Sequence, residues 1–171
     1  EYAPSADVSF NAVTFANAAA KMKLEANGEN RIFALNAHLD PGADNRGTIV
    51  LHSNGGHIAT LDANYGVKTL GTGVHKLSVL NVTGDSESVI TDQVNLTNVL
   101  TLNVKNGASL NSKSKTAASI AATNIGGVGE AGTLTIDSEG GNYNLLDGPA
   151  ITFAHNNSLL KLTNTCLLYT S

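Results

Sequence analysis

Two histidines flank a Gly-Gly pair in the segment HSNGGH, residues 52–57, and this spacing is a candidate for metal binding. A tight turn here would bring the imidazoles of His52 and His57 near each other. A zinc site needs at least three protein ligands, and no third ligand at a zinc-like spacing accompanies the pair. A similar segment further along the chain, DSEGGN, has neither histidine. We therefore expect polar surface residues here and no metal site.

The segment GDSES, residues 84–88, is a candidate for nucleophilic catalysis because it is similar to the GDSGS motif of trypsin-like proteases. In that motif a small Gly lets the oxyanion loop approach the substrate, and Glu87 replaces it here. The His and Asp partners would also have to lie upstream in a full two-barrel domain, and only about 80 residues precede Ser86. The segment is therefore predicted to be a solvated turn.

A third candidate is GVGEAG, residues 127–132, which matches the G-x-G-x-x-G pattern of dinucleotide-binding loops. That pattern binds pyrophosphate only where a buried strand precedes it and a helix follows it. Here ATNIG precedes the segment and the strand-like TLTID follows it. We therefore predict a flexible loop and no cofactor.

Seven aspartates could serve acid–base chemistry, but most of them lie in segments rich in Gly, Asn and Pro. They are Asp40, Asp44, Asp62, Asp85, Asp92, Asp137 and Asp147. A β-helical polysaccharide-degrading enzyme would need several carboxylates on one face with a basic group beside them. The two arginines, Arg31 and Arg46, lie outside any acidic cluster. We therefore predict acids in turns and no catalytic residues.

The composition of the 171 residues excludes several classes of function. The net charge is −4 and only 14% of residues are charged, whereas a nucleic-acid-binding protein normally has a basic face. Aromatic residues make up 5% and Trp is absent, so no stacking platform for bases is evident. A hydrophobic share of 42% argues against disorder, and no apolar run is long enough to span a bilayer.

Two internal likenesses indicate an array of related units. VTFANAAAKMKL (Val13–Leu24) is similar to ITFAHNNSLLKL (Ile151–Leu162), sharing Thr-Phe-Ala and Lys-Leu in register. GTIVLHSNGG (Gly47–Gly56) is similar to GTLTIDSEGG (Gly132–Gly141). Arrays of this kind are typical of solenoid proteins, in which each unit packs on its neighbours.

Within the units, short segments such as TIVLH and VLTLNV alternate or run apolar and are separated by Gly- and Asn-rich turns. This pattern predicts an all-β protein, a parallel β-helix (β-solenoid) with open ends. At roughly 20–25 residues per coil the chain would form about seven or eight coils in a rod about 35 Å tall. A β-sandwich or a propeller is the alternative, but both need hairpins, and strong hairpin signals stand at few strand junctions.

One segment gives conflicting signals. Residues Asn17–Gly28 contain strong helix formers, an N-cap candidate and a C-terminal Gly, which together favour a helix. The similar segment HNNSLLKLTNT is poor in helix formers and is typical of a turn followed by a strand. Because equivalent units should fold alike, we expect Met22–Ala26 to form a strand.

The segments ITFAHNNSLLKLTNT, ADNRGTIVLHSNGG, KTLGTGVHKLSVLNV and VNLTNVLTLNVKNGASL resemble passenger repeats of large bacterial autotransporters. The resemblance points to rickettsial surface cell antigens of the outer-membrane protein B type and covers about Val13 to Thr165. RIFALNAHLDPG departs from the pattern, since a segment richer in Gly and Asn is expected there.

The resemblance implies an exported β-helical stalk at the bacterial cell surface, tethered by a C-terminal outer-membrane β-barrel of the parent chain. It implies adhesion to a host-cell protein or glycan, or a protective surface layer, without catalysis. A β-helical polysaccharide-degrading enzyme and an inert stalk that presents an adhesive tip elsewhere are the alternatives.

The only cysteine, Cys166, opens the last segment of the chain, CLLYTS. These six residues are what the mosaic-end sequence of a transposase-based sequencing library encodes in frame. We therefore expect residues 1–165 to be passenger repeats cut at both ends and residues 166–171 to be translated adapter.

Overall fold

The computed structural model describes residues 6–105, 107–114, 120, 122–137 and 151–163. Asp147, Cys166 and the expected adapter segment 166–171 lie outside the described residues. Within the described ranges the secondary structure consists of strands, without a helix. The strands are β1 (Val8–Phe10), β2 (Lys21–Ala26), β3 (Arg31–Leu35), β4 (Arg46–Ser53), β5 (Ala59–Ala63), β6 (Lys68–Thr69), β7 (Leu77–Gly84), β8 (Glu87–Ile90), β9 (Val94–Asn95), β10 (Val99–Val104), β11 (Ser109–Ser112), β12 (Ala122–Ile125), β13 (Thr133–Asp137), β14 (Ile151–Phe153) and β15 (Leu159–Thr163).

The strands form three parallel sheets that wind around one core. The seven-stranded sheet has the order β1-β3-β5-β8-β11-β13-β15, and the six-stranded sheet has the order β14-β12-β10-β7-β4-β2. A two-stranded sheet joins β6 and β9. The chain passes alternately from one large sheet to the other, and each strand pairs with the strand one coil away. The protein is therefore a parallel β-solenoid of about five turns, which confirms the predicted fold class.

The expected number of coils is wrong, because the coils in the first half of the chain and the last coil, in which Ile151 pairs with Thr123, are longer than predicted. Asn103 and Asn124, which are bonded neighbours in adjacent coils, are 21 residues apart, within the expected range. His52 and Thr83, which are also bonded neighbours, are 31 residues apart. The additional residues build a third side, with strands β6 and β9 and a parallel bridge between Leu39 and Leu70. The six steps of about 4.8 Å between the seven strands of the larger sheet give a rod about 29 Å tall.

The core consists of columns of apolar side chains that the parallel register places directly above one another. One column in the six-stranded sheet contains Leu24, Leu51, Val82, Val104 and Ile125. None of these side chains is more than 2% exposed. In a strand every second side chain points inward, and the parallel pairing places an inward-pointing residue at the same position in every coil. Each buried side chain of this size contributes roughly 1.5–3 kcal/mol through the hydrophobic effect.

The corresponding column of the seven-stranded sheet is interrupted by one hydroxyl. Its members are Phe33, Leu61, Ile90, Ser112 and Ile136. The Ser112 Oγ is buried and has no hydrogen-bond partner. A buried hydroxyl without a partner is destabilising, because water no longer solvates it and nothing replaces that water.

Ser112→Val should therefore stabilise the protein by roughly 1–2 kcal/mol, since it removes an unpaired hydroxyl and adds an apolar contact. The matched control is Ser53→Val, because the Ser53 Oγ is also buried but bonds to the Ser88 Oγ at 2.7 Å and to the Ala59 N–H at 2.9 Å. That change should destabilise the protein. Urea unfolding of both variants measures the two effects, and a shift in the same direction for both would contradict the argument.

The segment with conflicting signals is a strand, as predicted, and so is its similar segment, although the two strands lie in different sheets. Lys21–Ala26 forms β2 and pairs with β4 over its whole length, turning Leu24 and Ala26 into the core. Its similar segment, Leu159–Thr163, lies in the other large sheet. The second likeness also relates strands of different sheets, β4 and β13. The similar segments are therefore single strands with their adjoining corners. They resemble one another because a strand in either sheet needs an inward-facing residue at every second position.

The two ends of the solenoid consist of edge strands. β1 and β2 form one end, and β14 and β15 form the other. Three apolar side chains are exposed at the second end: Phe153 by 52%, Leu159 by 44% and Leu162 by 38%. Phe153 and Leu162 continue the two core columns, so a further coil of the same kind would cover them.

Candidate binding surface

The two histidines of HSNGGH have different surroundings. The His52 Nδ1 lies 2.9 Å from the Thr83 Oγ1, and its Nε2 lies 3.6 Å from the Glu25 carboxylate, so a row across three coils holds the ring. His57 lies beyond the Gly-Gly turn, where its backbone N–H donates to the Asn54 carbonyl. Among the described residues, no group of three His, Cys, Asp or Glu side chains could hold a metal ion.

Of the GDSES segment, predicted to be a solvated turn, Asp85 and Ser86 form the corner between β7 and β8. Gly84 ends β7, and Glu87 and the buried Ser88 begin β8. The Ser86 hydroxyl donates to the Asp85 carboxylate at 2.8 Å and accepts from the Gly56 N–H at 2.7 Å. The Asp85 carboxylate also accepts from the Gly55 N–H at 2.8 Å. Positive φ angles at both glycines, 64° and 81°, direct these two N–H groups toward the next coil. The corner therefore joins one coil to the next.

The GVGEAG segment, predicted as a flexible loop, forms a turn between two strands. Gly127 and Glu130 make an antiparallel bridge within it, and β13 begins at Thr133. A strand rather than a helix follows, so the segment lacks the helix N-terminus that binds pyrophosphate in dinucleotide-binding folds. A Cβ on Gly132 would lie 2.5 Å from the Val104 carbonyl oxygen, so this Gly allows two coils to approach closely.

Four of the aspartates named from the sequence brace adjacent coils. The pairs are Asp40 with the His75 imidazole, Asp44 with the Lys76 N–H, Asp62 with the Thr91 hydroxyl, and Asp85 with the Gly55 N–H. Asp92 accepts from its neighbour Gln93, and Asp137 is on β13. Asp40 and Asp44 bond to consecutive residues at one corner, whereas the bonds of Asp62 and Asp85 lie elsewhere on the solenoid. These four carboxylates therefore link adjacent coils through hydrogen bonds, and we call them the carboxylate cross-braces.

Two of these carboxylates have lowered pKa values. The Gly42 N–H and then the His75 imidazole hold the pKa of Asp40 below its ordinary value of 3.8. For Asp85, hydrogen bonds from the Ser86 hydroxyl and from the Gly55 N–H lower the pKa in the same way. Because the folded state binds these protons less tightly than the unfolded state, each carboxylate stabilises the fold only while it is ionised.

The free energy of unfolding should therefore fall as the pH drops below about 4, through the lowered pKa values of these groups. Asp85→Asn should be less stable than the wild type at neutral pH and should show a smaller decrease on acidification. Unfolding by urea over a series of acidic pH values measures both slopes. Identical slopes for the two proteins would exclude a contribution from Asp85.

A ladder of asparagines crosses the outer face of the six-stranded sheet. The Asn103 side-chain amide donates to the Asn81 Oδ1 at 2.8 Å, and the Asn124 amide donates to the Asn103 Oδ1 at 2.7 Å. The register places these residues on β7, β10 and β12. Sequence reasoning missed this ladder, although the recurring LNV of LSVLNV and LTLNV was a signal for it.

A second row runs beside the ladder on the same outer face. Thr48, Val79, Thr101 and Ala122 follow one another in register on β4, β7, β10 and β12. All are partly exposed, and neither row contains a charged side chain in these four strands. We call the two rows together the uncharged face. On β2 the two rows continue with Lys21 and Lys23, and Lys23 forms an ion pair of 3.1 Å with Glu25. Arg46, at the start of β4, is also charged and partly exposed.

Another asparagine ladder lies at a corner after the strands of the seven-stranded sheet. The Asn36 amide donates to the Asn11 Oδ1 and the Asn64 amide donates to the Asn36 Oδ1, both at 2.8 Å. In both ladders an amide donates to the coil before it and accepts from the coil after it. Such amide rows hold the coils in register without charge.

These features define the class of the protein, a parallel β-solenoid with polar rows on its outer faces. Comparison with protein-family models, with curated proteins and with solved structures found no match. Within the described residues no helix is long and apolar enough to cross a membrane.

Proposed function

We propose that the chain is part of a bacterial autotransporter passenger, displayed at the cell surface, that acts in adhesion to host cells or as a protective surface layer. The β-solenoid fold is compatible with this function, and the repeat motifs from Val13 to Thr165 resemble passenger repeats. In this proposal a C-terminal outer-membrane barrel of the parent chain anchors the stalk, and a host-cell protein or glycan is the partner.

The observation that supports adhesion is the uncharged face. Its rows repeat at the strand spacing of about 4.8 Å, so one type of polar contact recurs along the rod. Each contact is weak, but contacts that engage together multiply, and a longer array of the same coils would add to them. Low charge also makes the desolvation of this surface less costly than that of a charged one.

An inert stalk is the second candidate, and the carboxylate cross-braces favour it. Asp44, Asp62 and Asp85 stiffen the rod at separate corners without forming a pocket between them. A polysaccharide-degrading enzyme has less support, because its acids would have to converge with a basic group on one face.

Thr101→Lys tests adhesion against the stalk, because it places a charge in the middle of the uncharged face. We expect binding of the protein to host cells to fall roughly tenfold, as for a loss of about 1.4 kcal/mol. Thr60→Lys is the matched control, since Thr60 lies on the outer side of the seven-stranded sheet on β5. If neither substitution alters binding to host cells, or if the unmodified protein does not bind them, the result would favour the inert stalk.

A further inference from the structure

The chain contains three Asn-Gly pairs, and the two pairs whose residues are all described occupy equivalent corners between the two large sheets, in adjacent coils. Asn27–Gly28 lies between β2 and β3, and Asn54–Gly55 lies between β4 and β5. Both glycines have a positive φ, 87° for Gly28 and 64° for Gly55. The pairs have the same chemistry and the same place in a coil, so differences in their surroundings determine how they react.

The surroundings of the two glycine amides differ in one respect. The Gly55 N–H donates to the Asp85 carboxylate at 2.8 Å, and the Asn54 N–H donates to the Ala26 carbonyl at 3.3 Å. Among the described residues, no group accepts a hydrogen bond from the Gly28 N–H, and none bonds to the Asn27 side chain. Asn27 and Gly28 are both exposed, and the space beside the Gly28 Cα is open.

We propose that Asn27 is a site of spontaneous deamidation and that Asp85 protects Asn54 from the same reaction. The Gly28 backbone nitrogen loses its proton to solvent base and attacks the Asn27 side-chain carbonyl carbon. The new N–C bond closes a succinimide ring, and the side-chain nitrogen leaves as ammonia. Water then opens the ring at one of its two carbonyls, which yields aspartate or isoaspartate at position 27.

The protection of Asn54 follows from electrostatics and from geometry. A hydrogen bond to a carboxylate stabilises the protonated amide, so the nucleophilic form of the Gly55 nitrogen becomes less accessible. The same bond holds the Gly55 amide toward the next coil, which restricts the rotation needed for attack on the Asn54 side chain. Gly28 is exposed and its N–H has no protein acceptor among the described residues, so neither of these two effects protects Asn27.

The reaction at Asn27 changes both charge and backbone. One carboxylate is added to a chain whose net charge is −4, close to the exposed Glu29. The isoaspartate product also adds a methylene group to the main chain between β2 and β3. Both changes fall at an outer corner, so we expect the core columns to persist.

The experiment is to incubate the whole folded chain in mildly alkaline buffer at physiological temperature and to follow both pairs by peptide mapping. Mass spectrometry detects the exchange of an amide NH2 for OH, and enzymatic methylation detects isoaspartate. We expect modification to accumulate at Asn27 while Asn54 stays intact. Equal rates at the two positions, or modification of neither, would overturn the proposal.

Asp85→Ala removes the acceptor that holds the Gly55 N–H, so Asn54 should then deamidate at a rate similar to that of Asn27. Asp85→Asn retains a side-chain oxygen acceptor and should restore part of the protection. Circular dichroism before incubation verifies that each variant retains its strands, and Asn27 provides an internal reference in every sample. If Asp85→Ala does not raise the deamidation rate of Asn54 relative to that of Asn27, the role assigned to Asp85 is refuted.

Discussion

Gly84→Ala is expected to lower the free energy of unfolding by about 3 kcal/mol or more, among the largest effects of any single methyl group. A Cβ on Gly84 would lie 1.8 Å from the Ser53 carbonyl oxygen and 2.7 Å from its carbonyl carbon. That carbonyl cannot move aside without cost, because it accepts the N–H groups of Asp85 and Ser86. Gly84 also has a φ of 106°, which residues with a Cβ rarely adopt.

The control for this prediction separates backbone strain from the collision. Gly56 has a φ of 81°, but a Cβ there would meet no atom within 4 Å. Gly56→Ala should therefore lower the free energy of unfolding by only about 1–2 kcal/mol, because the new residue must adopt a left-handed conformation. Urea unfolding followed by circular dichroism measures both variants. Equal losses would mean that the close approach of the β4 and β7 coils does not determine stability at this corner.

Leu80→Ala should destabilise the protein by about 2–5 kcal/mol, because it leaves a cavity in the middle of a core column. Leu80 is fully buried on β7, between Ile49 of one neighbouring coil and Leu102 of the other. In a solenoid each coil contacts only its neighbours, so a defect in a central coil also weakens the coupling between the two halves. We therefore expect the urea unfolding transition to broaden as well as to move to lower urea.

Val79→Ala is the matched control, since Val79 precedes Leu80 on the same strand but lies on the partly exposed outer face. Val79→Ala should lower the free energy of unfolding by less than about 1 kcal/mol, which is within the range of strand propensities. A loss at Val79 as large as that at Leu80 would contradict the inward and outward assignment of β7.

Much of the fold could be predicted from local patterns. The alternation in TIVLH and VLTLNV predicted strands with one buried side, and β4 and β10 have that burial pattern. The shortage of hairpin signals favoured parallel coils over a sandwich. The strand at Met22–Ala26 could also be predicted, against its helix propensity, from the likeness to HNNSLLKLTNT. It forms because inward burial of Leu24 and Ala26 outweighs a helix preference of a few tenths of a kcal/mol per residue.

The asparagine ladder was harder to predict, because it is a relation between residues 21 or 22 positions apart. The sequence contains Asn81, Asn103 and Asn124, but whether their side chains contact one another depends on the number of residues per coil. That number varies along this chain. The same variation made the expected number of coils wrong, since the third side around β6 and β9 consists of short segments with weak patterns.

The sequence by itself determined which residues face inward, since that choice depends only on strand alternation and apolar burial. It also determined that the corners are polar and rich in Gly. Only the tertiary structure decided which coil lies against which, and hence that similar segments such as β4 and β13 belong to different sheets. It alone placed Asp85 on the Gly55 amide, because hydrogen bonds between coils depend on register, which no single segment encodes.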